Sequence, residues 1–287
     1  MRQSAKRGSI PLIGPYSVWA LLFILVPLVF VAYYAFTDNQ FAFTTANITR
    51  FFTATSEVNG AVVRTYLLIF ARSLKLAVIS TAICLLLGYP MAYIMARAGQ
   101  RAQKTMLTLI MIPMWMNFLI RTYAWMTILQ DTGILNGFLS ALHLPAVHII
   151  GTETAVVIGM VYDYFPYMIL PIYSIMAKMD IKLLEAARDL GCNGFSVLRR
   201  VIFPLSLPGV ISGITMVFMP SVTTFFIPRV LGGGNTMMFG DLIEAKFLSE
   251  GNWNGGSALS LIMMVLILIS LSILRKADPN GEGGGIA

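Results

Sequence analysis

Charge is what this chain has least of. Only 11% of its 287 residues are Asp, Glu, Lys or Arg, where a soluble domain carries roughly a quarter. A surface so poor in polar groups excludes an ordinary water-soluble globule. Cysteine is nearly missing too: Cys84 lies inside an apolar run and Cys192 in a charged loop, which excludes a disulfide framework. The two histidines, His143 and His148, sit near Glu153 at five-residue spacing. That is not helical metal spacing, so no metal site is expected. There is no Gly-x4-Gly-Lys-Ser/Thr stretch, so the chain is not expected to hydrolyse nucleotide. No internal repeat, separate soluble domain or cluster of catalytic groups at one depth is visible. The last absence speaks against an integral-membrane enzyme, and the first against a stand-alone secondary transporter built from inverted repeats.

What the chain does have is length in its apolar runs. Hydrophobic residues make up 57%, and mean hydropathy is +0.78. A bilayer core needs about 20 residues of helix. Six segments qualify, near 16–36, 74–96, 106–129, 155–175, 208–227 and 258–274. They do not alternate as barrel strands do, and lipid admits only helices or closed barrels. The expected fold is therefore all-α and membrane-integral, with six transmembrane helices. The first run follows Arg2, Lys6 and Arg7 but has no small-residue cleavage pattern, so it reads as a retained span and not a signal peptide.

The distribution of Lys and Arg sets the orientation. Arg2, Lys6, Arg7, Arg97, Arg101, Lys104, Lys178, Lys182, Arg188, Arg199, Arg200, Arg275 and Lys276 fall on one side, 13 of the 20 basic residues. Both termini are expected in the cytoplasm. The pI of about 9.5 reflects this bias and membrane lipid, and needs no nucleic acid. Residues 37–73 form the longest external connection, with helix expected over 61–73. Residues 130–154 carry no Lys or Arg, and residues 228–257 are rich in glycine. Residues 1–275 read as one transmembrane domain, and 276–287 as a disordered tail.

Between spans four and five one cytoplasmic stretch, residues 181–204, is both charged and patterned. Asp180 suits the N-cap of a helix beginning at Ile181. Leu183, Leu184, Ala187 and Leu190 fall on one face. Gly191 suits a left-handed C′ position. Asn193 can cap a second helix that buries Phe195, Leu198 and Ile202 before Pro204. The product is a rigid helix–turn–helix with Glu185, Arg188 and Asp189 outward.

Two charges lie well inside the membrane. Arg121 in span three and Asp163 in span four both fall ~12–13 Å below the outer surface at 1.5 Å per residue. Charges at such depth face a partner or a water-filled cavity. Two readings stand: a structural Arg121–Asp163 pair, or Asp163 on a translocation path as the carboxylate for a cationic substrate. Tyr162, Tyr164 and Tyr167 surround Asp163 in sequence, and span three adds Trp115, Tyr123 and Trp125. Such rings hold organic cations by about 0.5–2 kcal/mol each; the alternative is an ordinary aromatic belt. Pro166 and Pro171 are expected to interrupt span four, and Pro220 and Pro228 span five.

Glu185-Ala186-Ala187, with Gly191, Ile202 and Pro204 at matching spacing, resembles the EAA loop of ABC importer permeases. Gly88-Tyr-Pro90-Met-Ala-Tyr, Ile112-Pro-Met-Trp-Met-Asn-Phe-Leu-Ile-Arg121-Thr-Tyr-Ala-Trp, Gly133-Ile-Leu-Asn and Phe226-Ile-Pro-Arg-Val-Leu-Gly-Gly233 resemble the polyamine (spermidine/putrescine) branch of type I importers. The resemblance implies a permease of the bacterial cytoplasmic (inner) membrane. Its implied partners are an ABC ATPase dimer, a second homologous permease subunit and an extracytoplasmic polyamine-binding protein. It implies no cofactor in this chain, ATP and Mg belonging to the ATPase. It assigns ATPase coupling to Glu185, Ala186, Ala187, Arg188, Asp189 and Gly191, with Glu185 meeting a basic residue of the ATPase. A permease for another small solute, iron or sulfate for example, is the alternative within the class.

Overall fold

The computed structural model describes residues 10–58 and 61–277. Arg2, Lys6 and Arg7, and the tail beyond Ala277, lie outside them. In chain order come α1 (Ile10–Ala20, continuing as Val26–Ala35), α2 (Ala46–Thr53), the strands β1 (Thr55–Val58) and β2 (Ala61–Arg64), α3 (Thr65–Arg97), α4 (Gln100–Trp115), α5 (Phe118–Leu129) and α6 (Ile134–Ala141). There follow α7 (Glu153–Ala177), α8 (Ile181–Asp189), α9 (Gly194–Val197), α10 (Phe203–Thr223), α11 (Phe226–Leu231), α12 (Phe239–Glu244) and α13 (Trp253–Ala277). A π-helical turn at Leu21–Leu25 interrupts α1, and another at Leu198–Ile202 carries α9 into α10.

Five helical stretches are long and apolar enough to cross a membrane: Gly14–Ala35, Thr65–Arg97, Glu153–Ala177, Gly194–Thr223 and Trp253–Ile273. A sixth crossing results if the bent pair Gln100–Trp115 and Phe118–Ala141 counts as one. The expected all-helical membrane fold is the one found. One element was not foreseen. Residues 61–64 are not helical but pair with β1 antiparallel, Thr55 opposite Arg64 and Val58 opposite Ala61; the helix starts only at Thr65.

Contact density divides the chain into two compact units. The first runs to Leu67 and resumes over Ile243–Leu266. In it α1 is almost wholly uncovered, and Tyr16, Trp19 and Phe23 form a ladder of rings with centroids 6.3 and 5.8 Å apart. Lipid tails are as apolar as leucine, so such a face needs no protein cover. Carbonyls at and just beyond the C-terminal end of α1 take side-chain amide donors. Asn254 Nδ2 donates to Thr37 O at 2.7 Å and to Tyr34 O at 3.1 Å, and Asn47 Nδ2 donates to Thr37 O at 2.8 Å.

The second unit spans Leu68–Leu242 and resumes at Ile267. Its centre is the pairing of α7 with α10. In lipid this contact lacks a hydrophobic drive and depends on close van der Waals packing, which small residues permit. A Cβ at Gly209 would stand 2.9 Å from the Pro171 carbonyl oxygen, and one at Gly213 2.8 Å from Met168 Sδ. Around them Met168, Ile169, Ile172 and Val217 are fully buried with Ala92 and Met95 of α3. Polar side chains tie α3 to the elements around it: Tyr89 Oη lies 3.0 Å from Ser206 Oγ of α10, and Ser73 Oγ accepts from the Phe239 N–H of α12 at 2.7 Å. Gln103 Nε2 in α4 donates to Ala98 O at 2.9 Å, closing the short α3–α4 turn.

The prolines do not act as expected. Pro166 and Pro171 lie inside an unbroken α7, and Pro220 inside α10. Neighbouring helices supply the packing that keeps a proline-bearing span straight enough to cross. Span five ends at Thr223, so its expected last residues, 226–227, belong to the separate short helix α11. The helix of span five does break just ahead of Pro228, at Thr224–Phe225, and the sharp bend, of 93°, falls in span three between Trp115 and Phe118.

The α7–α10 contact yields the first prediction. Gly209→Ala and Gly213→Ala should each lower stability by about 1–3 kcal/mol through overpacking, read as a lower unfolding temperature in lipid nanodiscs. Gly137→Ala, whose Cβ would meet nothing within 4 Å, should not. Equal unfolding temperatures for all three would remove the close-packing account.

Candidate functional site

The charged element between α7 and α10 is built by its caps. Asp180 accepts from Lys182 N–H at 3.0 Å, and Asn193 from Ser196 N–H at 2.8 Å. Gly191 has φ +83°, with its N–H donating to Arg188 O at 2.8 Å while Cys192 N–H donates to Ala187 O at 3.1 Å. That pair of bonds is a Schellman motif, which ends a helix and satisfies two of its free carbonyls. Leu184, Val197 and Ile202 anchor the element in the core of the second unit, with Ala187 packed beside them. The other apolar residues are not where helical spacing suggested. Leu183 and Leu190 are exposed, and so is Phe195 at 71%. The helices are too short to bury a full stripe: two turns reach the bundle with one leucine and one alanine, and the remaining leucines face outward. Glu185, Ala186, Arg188 and Asp189 are exposed as well. Glu185 and Arg188 line a groove of about 540 Å³ against Tyr93 and Arg97 at the end of α3.

The second locus is the bend in span three. Pro113 sits in the last turn of α4, and Asn117 accepts from Leu119 N–H at 2.8 Å to cap α5. The Pro113 carbonyl accepts from Met116 N–H at 3.2 Å and from Arg121 Nη1 at 2.8 Å. A cation at the negative end of a helix is favourable, and backbone exposed in a membrane needs such a partner. The same guanidinium faces Asp163 of α7, with Nε 3.2 Å from Oδ1. Arg121 and Asp163 are both buried, Asp163 to 2% exposure. The approach makes an ion pair without hydrogen-bond geometry, so Nε and Oδ1 each keep an unused bonding position.

The aromatic residues named from sequence do not all gather here. Tyr162 meets Trp125 edge to face at 5.2 Å, and both line an apolar cavity of about 410 Å³ with Pro113 and Phe165. Asp163, one residue along α7, is not part of that lining. Tyr164 is half-buried, its hydroxyl 3.5 Å from Pro220 O. Tyr123 packs edge to face on Phe226 and is exposed, as are Trp115 and Tyr167. What sequence reasoning missed is the third member of the pair, the Pro113 carbonyl. Pro113 followed four residues on by a capping Asn117 was its signal. Among the described residues no group of three His, Cys, Asp or Glu could hold a metal ion. His148 instead pairs with Asp131 at 2.6 Å, and both cysteines are free.

Breaking a buried pair from one side leaves an uncompensated charge, at a cost of about 3–5 kcal/mol. Arg121→Met and Asp163→Asn should each approach that loss. The double variant should lose clearly less than the sum, in a double-mutant cycle of unfolding free energies. Strict additivity would mean that the two groups do not interact.

Comparison with known proteins places this architecture. Residues 85–280 match the family described as "Binding-protein-dependent transport system inner membrane component". The chain is 37% identical over 268 residues to the "Spermidine/putrescine transport system permease protein PotB" of Haemophilus influenzae, covering 91% of this chain and 90% of that protein. It is 33% identical to the protein of the same description from Escherichia coli K12, covering 91% and 94%. Its fold is similar to a chain in the crystal structure of a bacterial alginate ABC transporter in complex with an alginate-bound periplasmic protein. That match has a TM-score of 0.72 at 14% identity, and covers 93% of this chain and 91% of that one. The chain therefore belongs to the family of binding-protein-dependent transport system inner membrane components, multi-pass proteins whose fold it shares.

Proposed function

We propose that this chain is the membrane-spanning permease subunit of an ATP-driven importer of polyamines such as spermidine and putrescine. The observation that carries the reading is identity of 33–37% over nine-tenths of the chain to permeases named for those substrates. The machine it implies has a second, similar permease subunit, an ATPase dimer holding ATP and Mg, and an external binding protein that delivers substrate. This chain contributes no cofactor and no hydrolytic group, and the reaction it serves is movement, not bond cleavage. The bias of basic residues supports placing both termini in the cytoplasm. Residues 1–275 act as one transmembrane domain.

In this reading the α8–α9 element docks on the ATPase. Glu185, Ala186, Arg188 and Asp189 lie exposed on it, and its double cap and Schellman turn keep it stiff. A stiff element transmits displacement; a loose one dissipates it. Gly191 serves the turn and also leaves the surface open, since a Cβ there would meet nothing within 4 Å in this chain. The pathway is assigned to Asp163, Arg121, Tyr162, Tyr164, Tyr167, Trp115 and Tyr123. Asp163 is covered by Arg121 in the state described, and a substrate ammonium reaches it by displacing the guanidinium. The unused bonding position on Asp163 Oδ1 supports a carboxylate able to take such a second cation. A carboxylate at this depth suits a cationic substrate better than an anion, which favours polyamines over sulfate within the class.

Two measurements test the proposal. ATP hydrolysis by the assembled complex should rise with binding protein loaded with spermidine or putrescine, and not with inorganic ions; no response to any polyamine sinks the substrate assignment. Replacing Glu185 by Gln, or Gly191 by Ala at a strain cost of about 1–2 kcal/mol, should leave hydrolysis running while uptake into proteoliposomes falls about tenfold or more. Unchanged uptake would count against the coupling role.

A further inference from the structure

The groove between the end of α3 and helix α8 holds charge that no ion pair among the described residues neutralises. Arg97 and Arg188 supply two guanidiniums and Glu185 one carboxylate. Among the described residues no ion pair joins either arginine to Glu185. Arg97 is held in place by the Tyr93 ring, its Cζ 5.6 Å from the centroid. The groove also carries apolar surface: Ile94 and Ile181 are 55% and 61% exposed within it. Two cations beside exposed isoleucines match an amphiphile with an anionic head. Position favours the same occupant. The apolar run of α3 gives way to Arg97, Arg101 and Lys104 at this point, which is where a span leaves the hydrocarbon and meets the headgroups.

We propose that this groove binds the phosphodiester head of an anionic phospholipid from the surrounding leaflet. Arg97 and Arg188 take the phosphate oxygens, which planar guanidiniums match in pairs, and Ile94 and Ile181 lie against the glycerol end of the acyl chains. With Glu185 counted, the groove carries a net single positive charge, which one phosphodiester cancels. The volume of about 540 Å³ accommodates a phosphodiester headgroup. The bound lipid would join α8 to α3, so the lipid links the element assigned above to ATPase docking with a membrane span. That consequence rests on the proposed function; the binding itself does not.

The test therefore reads lipid and not transport. The transporter complex purified through this chain is stripped with detergent and exchanged with phosphatidylglycerol, phosphatidylcholine or inorganic phosphate. Native mass spectrometry counts the molecules retained. The expected result is about one phosphatidylglycerol per chain, held in preference to phosphatidylcholine and not displaced by millimolar phosphate. Arg97→Gln and Arg188→Gln should each weaken that preference about fivefold, at ~1 kcal/mol per basic residue near a membrane surface. Glu185→Gln should strengthen it by a similar factor, an outcome that mere disruption of the groove cannot produce. Equal retention of the two lipids overturns the proposal, as does an unchanged preference in the Arg97→Gln/Arg188→Gln double variant. Displacement by inorganic phosphate overturns it as well, since the site would then be a simple anion site. Failure of polyamine-stimulated hydrolysis would leave these retention values untouched.

Discussion

One guanidinium satisfies two needs at the middle of this membrane fold. Span three turns through 93° at membrane depth, which frees backbone groups that lipid cannot solvate. Arg121 reaches back eight residues to the Pro113 carbonyl and sideways to Asp163. The bend thus has its donor and the buried carboxylate its counter-ion from the same side chain. Either alone would be costly. Together they make α4, α5 and α7 depend on one another, and they place a buried ion pair beside the sharp break in span three.

The rest of the second unit is arranged around α7. Its far face meets α10 at glycine-to-backbone distances, its near face meets α5 through the ion pair, and its C-terminal end continues into the capped element α8–α9. The helix carries two prolines without breaking, because close neighbours on both sides fix its path. A displacement of α8 therefore has a rigid route to the depth of Asp163.

Much of this was legible in the sequence. Run length and low charge sufficed for a helical membrane fold, since lipid leaves so few alternatives. The caps at Asp180 and Asn193 and the turn at Gly191 were readable because capping is local: one side chain satisfies a backbone group two or three residues away. The β1–β2 pairing was not legible: the apolar, β-branched stretch at 61–64 runs straight into the long helix α3 and reads as its first turn. The inward face of α8 was misjudged, because helical spacing predicts a stripe but not how much of it the bundle covers. Leu183, Leu190 and Phe195 stay outside for that reason.

By itself, then, the sequence determined the class of fold, the local caps and turn of the charged element and the presence of two opposite charges at one depth. These follow from hydropathy and from contacts within a few residues. Only the tertiary structure decided which span is broken, which prolines are harmless, and what Arg121 and Asp163 touch. A proline's effect depends on the helices packed against it, and a buried charge on a partner 42 positions away in the chain. Neither is a property of the residues on either side of it.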